Sequence, residues 1–125
     1  MRHKYFLTEQ RSLDSREARL LEWLLKNGMA GAEAYLEQVP RVRVVSRCSC
    51  GCPTIDLALD GRLSGRKGPS TILADAQGQS PEGALIGVIV HAREDELSEL
   101  EVYSIDGLAE RFTLPNPEQL EPIPS

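Results

Sequence analysis

Cys48, Cys50 and Cys52 are the side chains of this sequence best suited to chemistry. Thiolates on alternate residues converge on one soft metal ion when a turn bends them together. Zinc is the ion such a set would take, although structural zinc sites more often space two cysteines by two residues on each of two knuckles. The chain has three cysteines, so a second cluster does not exist, and a fourth ligand would have to come from His91 or His3. The same thiols admit two other readings. A reactive thiol needs a base within hydrogen-bond reach, and His91 and His3 are the only histidines able to serve. Alternatively the cysteines are small apolar side chains packed around a turn shaped by Gly51 and Pro53, a common state of unbridged cysteine. A Cys48 to Cys52 bridge is disfavoured in a chain that carries no export signal.

Arg41, Arg43 and Arg47 form the second candidate group, a row of guanidinium groups on alternate positions suited to an anion or an acidic protein. Residues 41–67 hold six basic side chains, with Arg62, Arg66 and Lys67 completing the strip, against Asp56 and Asp60. From Glu94 to Ser125 there are nine acidic side chains and only Arg111. These segments either neutralise each other across neighbouring strands or present a polarised surface that steers a charged protein partner. Nucleic acid is not the expected partner: the net charge is −5, and no aromatic residue lies between Arg41 and Lys67 to stack on bases. The run from Gly61 to Ser70 has glycines and a lysine, but Lys67 is not followed by Ser or Thr and Pro69 leaves no helix N-terminus to hold a phosphate.

Trp23 sits off the centre of a leucine face, between Arg19 and Lys26. Such a tryptophan anchors an interface, or is covered by the segment Tyr5-Phe6-Leu7 folding back over it.

The elements that must hold these groups follow from periodicity. Asp14 and Glu17 have capping-box spacing, and Ala18, Leu20, Leu21, Leu24 and Leu25 share a helical face, which predicts a helix from about Ser15 to Asn27. Ala32 to Val39 gives a second, shorter helical pattern, stopped by Pro40. Beyond Pro40 the period becomes two: Val42, Val44, Ser46 and Cys48 alternate with Arg41, Arg43, Val45 and Arg47, and Ile55, Leu57 and Leu59 continue after a turn at 49–53. The cysteines are thus placed at a hairpin tip. Three further strands are expected at about 70–76, 84–92 and 100–105, the middle one apolar on both faces and central. The expected fold is α+β: two N-terminal helices packed on a mostly antiparallel sheet of about five strands. One domain spans 1–114, and the proline-rich segment 115–125 should be an extended C-terminal tail.

A length of 125 residues with 41% hydrophobic side chains suffices for one modest core. No apolar run reaches eighteen residues, and Met1 to Thr8 lacks the apolar stretch of a signal peptide, so no membrane association and a cytoplasmic location are expected.

Three stretches together carry a resemblance: Leu20-Leu-Glu-Trp-Leu-Leu25, Arg47-Cys-Ser-Cys-Gly-Cys-Pro-Thr-Ile-Asp-Leu57 and Leu100-Glu-Val-Tyr-Ser-Ile-Asp-Gly107. The chain resembles, from roughly Leu7 to Leu114, a family of small uncharacterised bacterial domains with a Cys-Gly-Cys-Pro-Thr-Ile hairpin. The resemblance implies a bacterial cytosolic protein and brings no activity, cofactor or site residue. With no catalytic motif and split charge, the leading expectation is a non-catalytic module that binds another protein, of the kind that neutralises a toxin, either alone or as a homodimer. The alternative is a thiol-based metal protein or small enzyme centred on Cys48, Cys50, Cys52 and His91.

Overall fold

The computed structural model describes residues 6–61, 69–109 and 111–123. The expectations placed on His3, Tyr5, Arg62, Arg66 and Lys67 lie outside them, as does any packing of the Phe6 and Leu7 side chains on Trp23. In chain order come β1 (Phe6–Ser12), α1 (Ser15–Lys26), a 3-10 segment (Ala32–Gln38), β2 (Val42–Cys48), β3 (Ile55–Leu59), β4 (Thr71–Gln79), β5 (Leu85–Arg93), β6 (Glu96–Ser104), a 3-10 turn (Pro117–Gln119) and β7 (Leu120–Pro122).

This corrects the expected fold. The sheet has seven strands in the order β1-β2-β3-β6-β5-β4-β7, not five, and every neighbouring pair runs antiparallel. The helical elements are not an N-terminal pair: β1 precedes α1, the second helical pattern is a 3-10 segment, and a further 3-10 turn lies near the C-terminus. The two additional strands are edge strands, where alternation is weak. β7 even contains Pro122, which a sheet tolerates at an edge because the missing N–H removes no ladder bond from an inner strand.

The helix forms where its caps place it. Asp14 Oδ1 accepts from the Glu17 backbone N–H at 2.8 Å while Glu17 Oε1 accepts from the Asp14 N–H at 2.9 Å. Arg11 grips the same carboxylate with both guanidinium arms at 2.7 and 2.9 Å. Leu20, Leu21, Leu24 and Leu25 are fully buried against the sheet, each worth about 2 kcal/mol of burial. The helix packs on β4 and β5, between the central strand β6 and the edge strand β7.

The helix-facing side of the sheet is apolar: Val42 and Val44 of β2, Ile55, Leu57 and Leu59 of β3, Leu100 and Val102 of β6, Val88 and Val90 of β5, and Ala74 and Ala76 of β4 all join one core. The other side carries Asp56, Glu99 and His91 in one cross-strand row and Asp75, Ile89 and Glu101 in the next. Gly87 lies opposite Tyr103, whose ring occupies the space a Cβ on residue 87 would need.

Two polar side chains tie loops to this frame. Buried Gln38 donates to the Asp95 carbonyl at 2.8 Å and accepts from the Leu97 N–H at 2.9 Å, holding the 3-10 segment against the β5–β6 turn. The β3–β6 ladder has just two residue pairs, and the Thr54 hydroxyl extends it by donating to the Val102 carbonyl at 3.0 Å and accepting from the Val102 N–H at 2.9 Å. Thr54 thereby fixes the base of the cysteine turn to the centre of the sheet. At the C-terminal end, Arg16 donates to the Leu114 carbonyl at 2.9 Å and Arg19 pairs with Glu118, while β7 joins β4.

Candidate metal centre

The three cysteines sit where the β2–β3 hairpin turns. Cys48, the last residue of β2, is buried; Cys50 is exposed and Cys52 half-buried. Gly51 supplies the bend with a φ of +92°, a value that favours glycine, and no atom lies where a side chain would begin.

The bend brings the sulfurs together. Cys48 Sγ and Cys50 Sγ are 2.7 Å apart, and all three sulfurs lie within 4.8 Å of one another. Around a tetrahedral ion with zinc–sulfur bonds of about 2.3 Å, thiolates sit about 3.8 Å apart, so small side-chain adjustments suffice. The backbone is already arranged for this. The Cys50 N–H donates to Cys48 Sγ at 3.4 Å and the Cys52 N–H donates to Cys50 Sγ at 3.4 Å, bonds that strengthen when sulfur carries negative charge. Burial, and after it the neighbouring Cys50 thiol, push the Cys48 thiol up to about 11. Without a cation Cys48 therefore keeps its proton, and a metal ion must displace it.

No protein-family model, curated protein or solved structure matches this chain.

The structure does not bring His91 to the sulfurs. Cys48 closes β2, whereas His91 lies on β5, and β3 and β6 stand between them. Three strand spacings amount to roughly 14 Å, beyond the reach of a shared ion. His91 instead places Nε2 2.9 Å from Glu101 Oε1, with Asp75 and Tyr103 nearby on the same face. Among the described residues the metal group consists of the three cysteines.

The arginine row is broken as well. Val44 pairs with Leu57 and Ser46 with Asp56, so Val45 is the extra residue of a β-bulge and is buried. Arg43 then pairs with Ala58 and Arg47 with Ile55; these partners are three apart on β3, so the two arginines point to opposite faces. Arg41 pairs with Asp60 at 3.0 Å, and Arg43 reaches Ser12 Oγ at 3.5 Å. Trp23 is half-buried against the core, and its carbonyl accepts the Asn27 side-chain amide.

Two residues with no motif of their own stand beside the cysteines. A groove of ≈ 470 Å³ runs along the hairpin tip, lined by Cys50, Glu82, Arg111, Phe112 and Thr113 among others. Glu82 accepts from the Thr113 hydroxyl at 2.6 Å and from the Thr113 N–H at 3.0 Å, which hold its carboxyl down at about 2. Ionised Glu82 thus clamps the 111–113 segment next to the sulfurs. Only the tertiary fold joins the β4–β5 turn to that segment, so no spacing in the sequence announces it. No helix among the described residues is long and apolar enough to cross a membrane.

Proposed function

We propose that this protein holds a thiophilic metal ion, zinc, on the thiolates of Cys48, Cys50 and Cys52. The observation that carries this reading is the mutual approach of three sulfurs within 4.8 Å at one turn. The backbone N–H groups aimed at two of those sulfurs support it, since they would stabilise thiolate charge. Thiolates select soft ions over magnesium or calcium. With no fourth ligand among the described residues, the remaining tetrahedral position falls to water or an external ligand, the pattern of an accessible rather than a closed zinc site. The test is native mass spectrometry of untagged protein prepared without chelator, beside the Cys48/Cys50/Cys52→Ser variant. One zinc per chain, lost in the variant, is the expected result; metal-free wild type that takes up no added zinc would refute the reading.

A second reading, the protein-binding module, is favoured by a separate surface. Leu85, Ile105 and Leu108 are 48%, 47% and 80% exposed. Leu85 and Ile105 line a groove of ≈ 500 Å³ together with Leu120, Glu118 and Glu121. Apolar anchors with an acidic rim suit a basic protein segment. Replacing Ile105 and Leu108 by Asp should abolish partner capture and any concentration-dependent dimerisation, read by sedimentation; unchanged behaviour would discard this surface.

A further inference from the structure

We propose that the groove beside Cys50 binds a small organic carboxylate, which fills the open position of a metal ion on Cys48, Cys50 and Cys52 and pairs with the guanidinium of Arg111. The proposal rests on the metal reading above and adds the class of ligand. Three observations lead to it.

First, Cys50 is the most exposed of the three cysteines, and it is itself a wall of the groove. An ion on these sulfurs would present its remaining position to that space. A volume of ≈ 470 Å³ lies within the range of small-molecule sites.

Second, Arg111 is the one cationic side chain among the described residues lining the groove, which it shares with the hairpin tip. Its fork matches the two oxygens of a carboxylate. The segment that carries it is fixed by the Glu82 clamp on Thr113, so the guanidinium is offered from a held backbone rather than from a loose end. Glu82 is a positioning residue here: both of its oxygens are engaged by Thr113.

Third, the groove sets limits on the anion. Buried Phe112 supplies an apolar surface for the organic part of a ligand. A divalent ion on three thiolates is net negative and Glu82 adds to that charge, with Arg111 alone opposing it, so a dianion such as phosphate is disfavoured more strongly than a monoanionic carboxylate.

Cobalt(II), which adopts the coordination of zinc and absorbs visible light, reports the fourth position directly. Cobalt-loaded wild-type protein titrated with acetate at constant ionic strength should show a saturable change in its ligand-field bands, with a dissociation constant on the order of millimolar for so small a ligand. Arg111→Gln should bind the same cobalt and take acetate about tenfold more weakly, the loss expected for a charge-assisted pair. Inorganic phosphate should perturb the spectrum less than acetate does. A spectrum indifferent to acetate, an equal response in Arg111→Gln, or tighter binding of phosphate would overturn the proposal while leaving the metal site standing. Failure to take up cobalt would remove the metal reading and this proposal together.

Discussion

Nε2 of His91 lies 2.9 Å from Oε1 of Glu101 on the sheet face turned away from α1. With a carboxylate as partner, Nε2 carries the proton. The Glu101 hydrogen bond raises the His91 pKa above its ordinary value, burial opposes the rise, Glu99 and Glu101 add to it by charge, and Arg93 subtracts from it. Asp75, on the neighbouring strand, is itself raised by burial and by Glu101. His91 is thus an electrostatic keystone for one face of the sheet and not a ligand of the cysteine site.

That pair makes stability depend on pH in a defined direction. A folded-state pKa above the unfolded value of about 6.5 means that the stabilisation is complete below that pH and is lost as pH rises through the folded pKa. Glu101→Gln should flatten this decline in urea-unfolding curves, by on the order of 1 kcal/mol at the acidic end. In the same variant the His91 titration followed by NMR should move down, because burial then opposes the charge with less compensation. An unmoved titration would exclude the bond as its cause.

Zinc affinity should climb with pH. Because Cys48 holds its proton up to about 11 without metal, coordination releases it, and apparent affinity gains about tenfold per pH unit for each proton displaced. Competition against a chromogenic chelator at several pH values measures the slope. A flat profile would mean that the thiols are not the ligands.

Thr54 should matter more than its size suggests. Thr54→Val keeps the shape but strips the Val102 N–H and carbonyl of their buried partner, at about 2–3 kcal/mol, whereas Thr54→Ser keeps both bonds and should cost roughly 1 kcal/mol. Denaturation midpoints of the two variants decide the point; equal losses would show that packing, not the hydroxyl, anchors the turn.

Glu17 joins the helix cap to Arg11 of β1 and is 5% exposed. Glu17→Ala removes the carboxylate held by both arms of the part-exposed Arg11 guanidinium and the acceptor of the Asp14 N–H, so a loss of about 2 kcal/mol is expected. Asp14→Ala, which removes one cap bond, should cost about 1 kcal/mol. Thermal unfolding followed at the helical ellipticity gives both values, and the order Glu17 above Asp14 is the result that matters.

How much of this was legible in the sequence varies by element. The capping box and the leucine spacing specify α1 to within a residue, since both are local and the helix needs no partner to declare its face. The cysteine turn is equally local: a one-residue spacing around a glycine with positive φ brings sulfurs together whatever surrounds them. The β5–β6 hairpin was harder to read. Its two-residue turn is Glu94-Asp95, with φ of +52° and +64°, in place of the glycine-containing pair that usually marks such a turn.

The remaining features belong to the tertiary structure. β1 and β7 are edge strands, each paired along one side only, and their composition carries little alternation. The bulge at Val45 inverts the phase of β2 and sends Arg47 away from Arg43, an event that strict period-two counting cannot register. His91 is assigned to Glu101 rather than to sulfur by strand order, and Arg111 and Cys50 line one groove beside the segment that Glu82 holds. Local chemistry was therefore decided by residue type and spacing along the chain; which distant groups face that chemistry was decided by sheet topology, because strand pairing brings together residues separated by tens of positions.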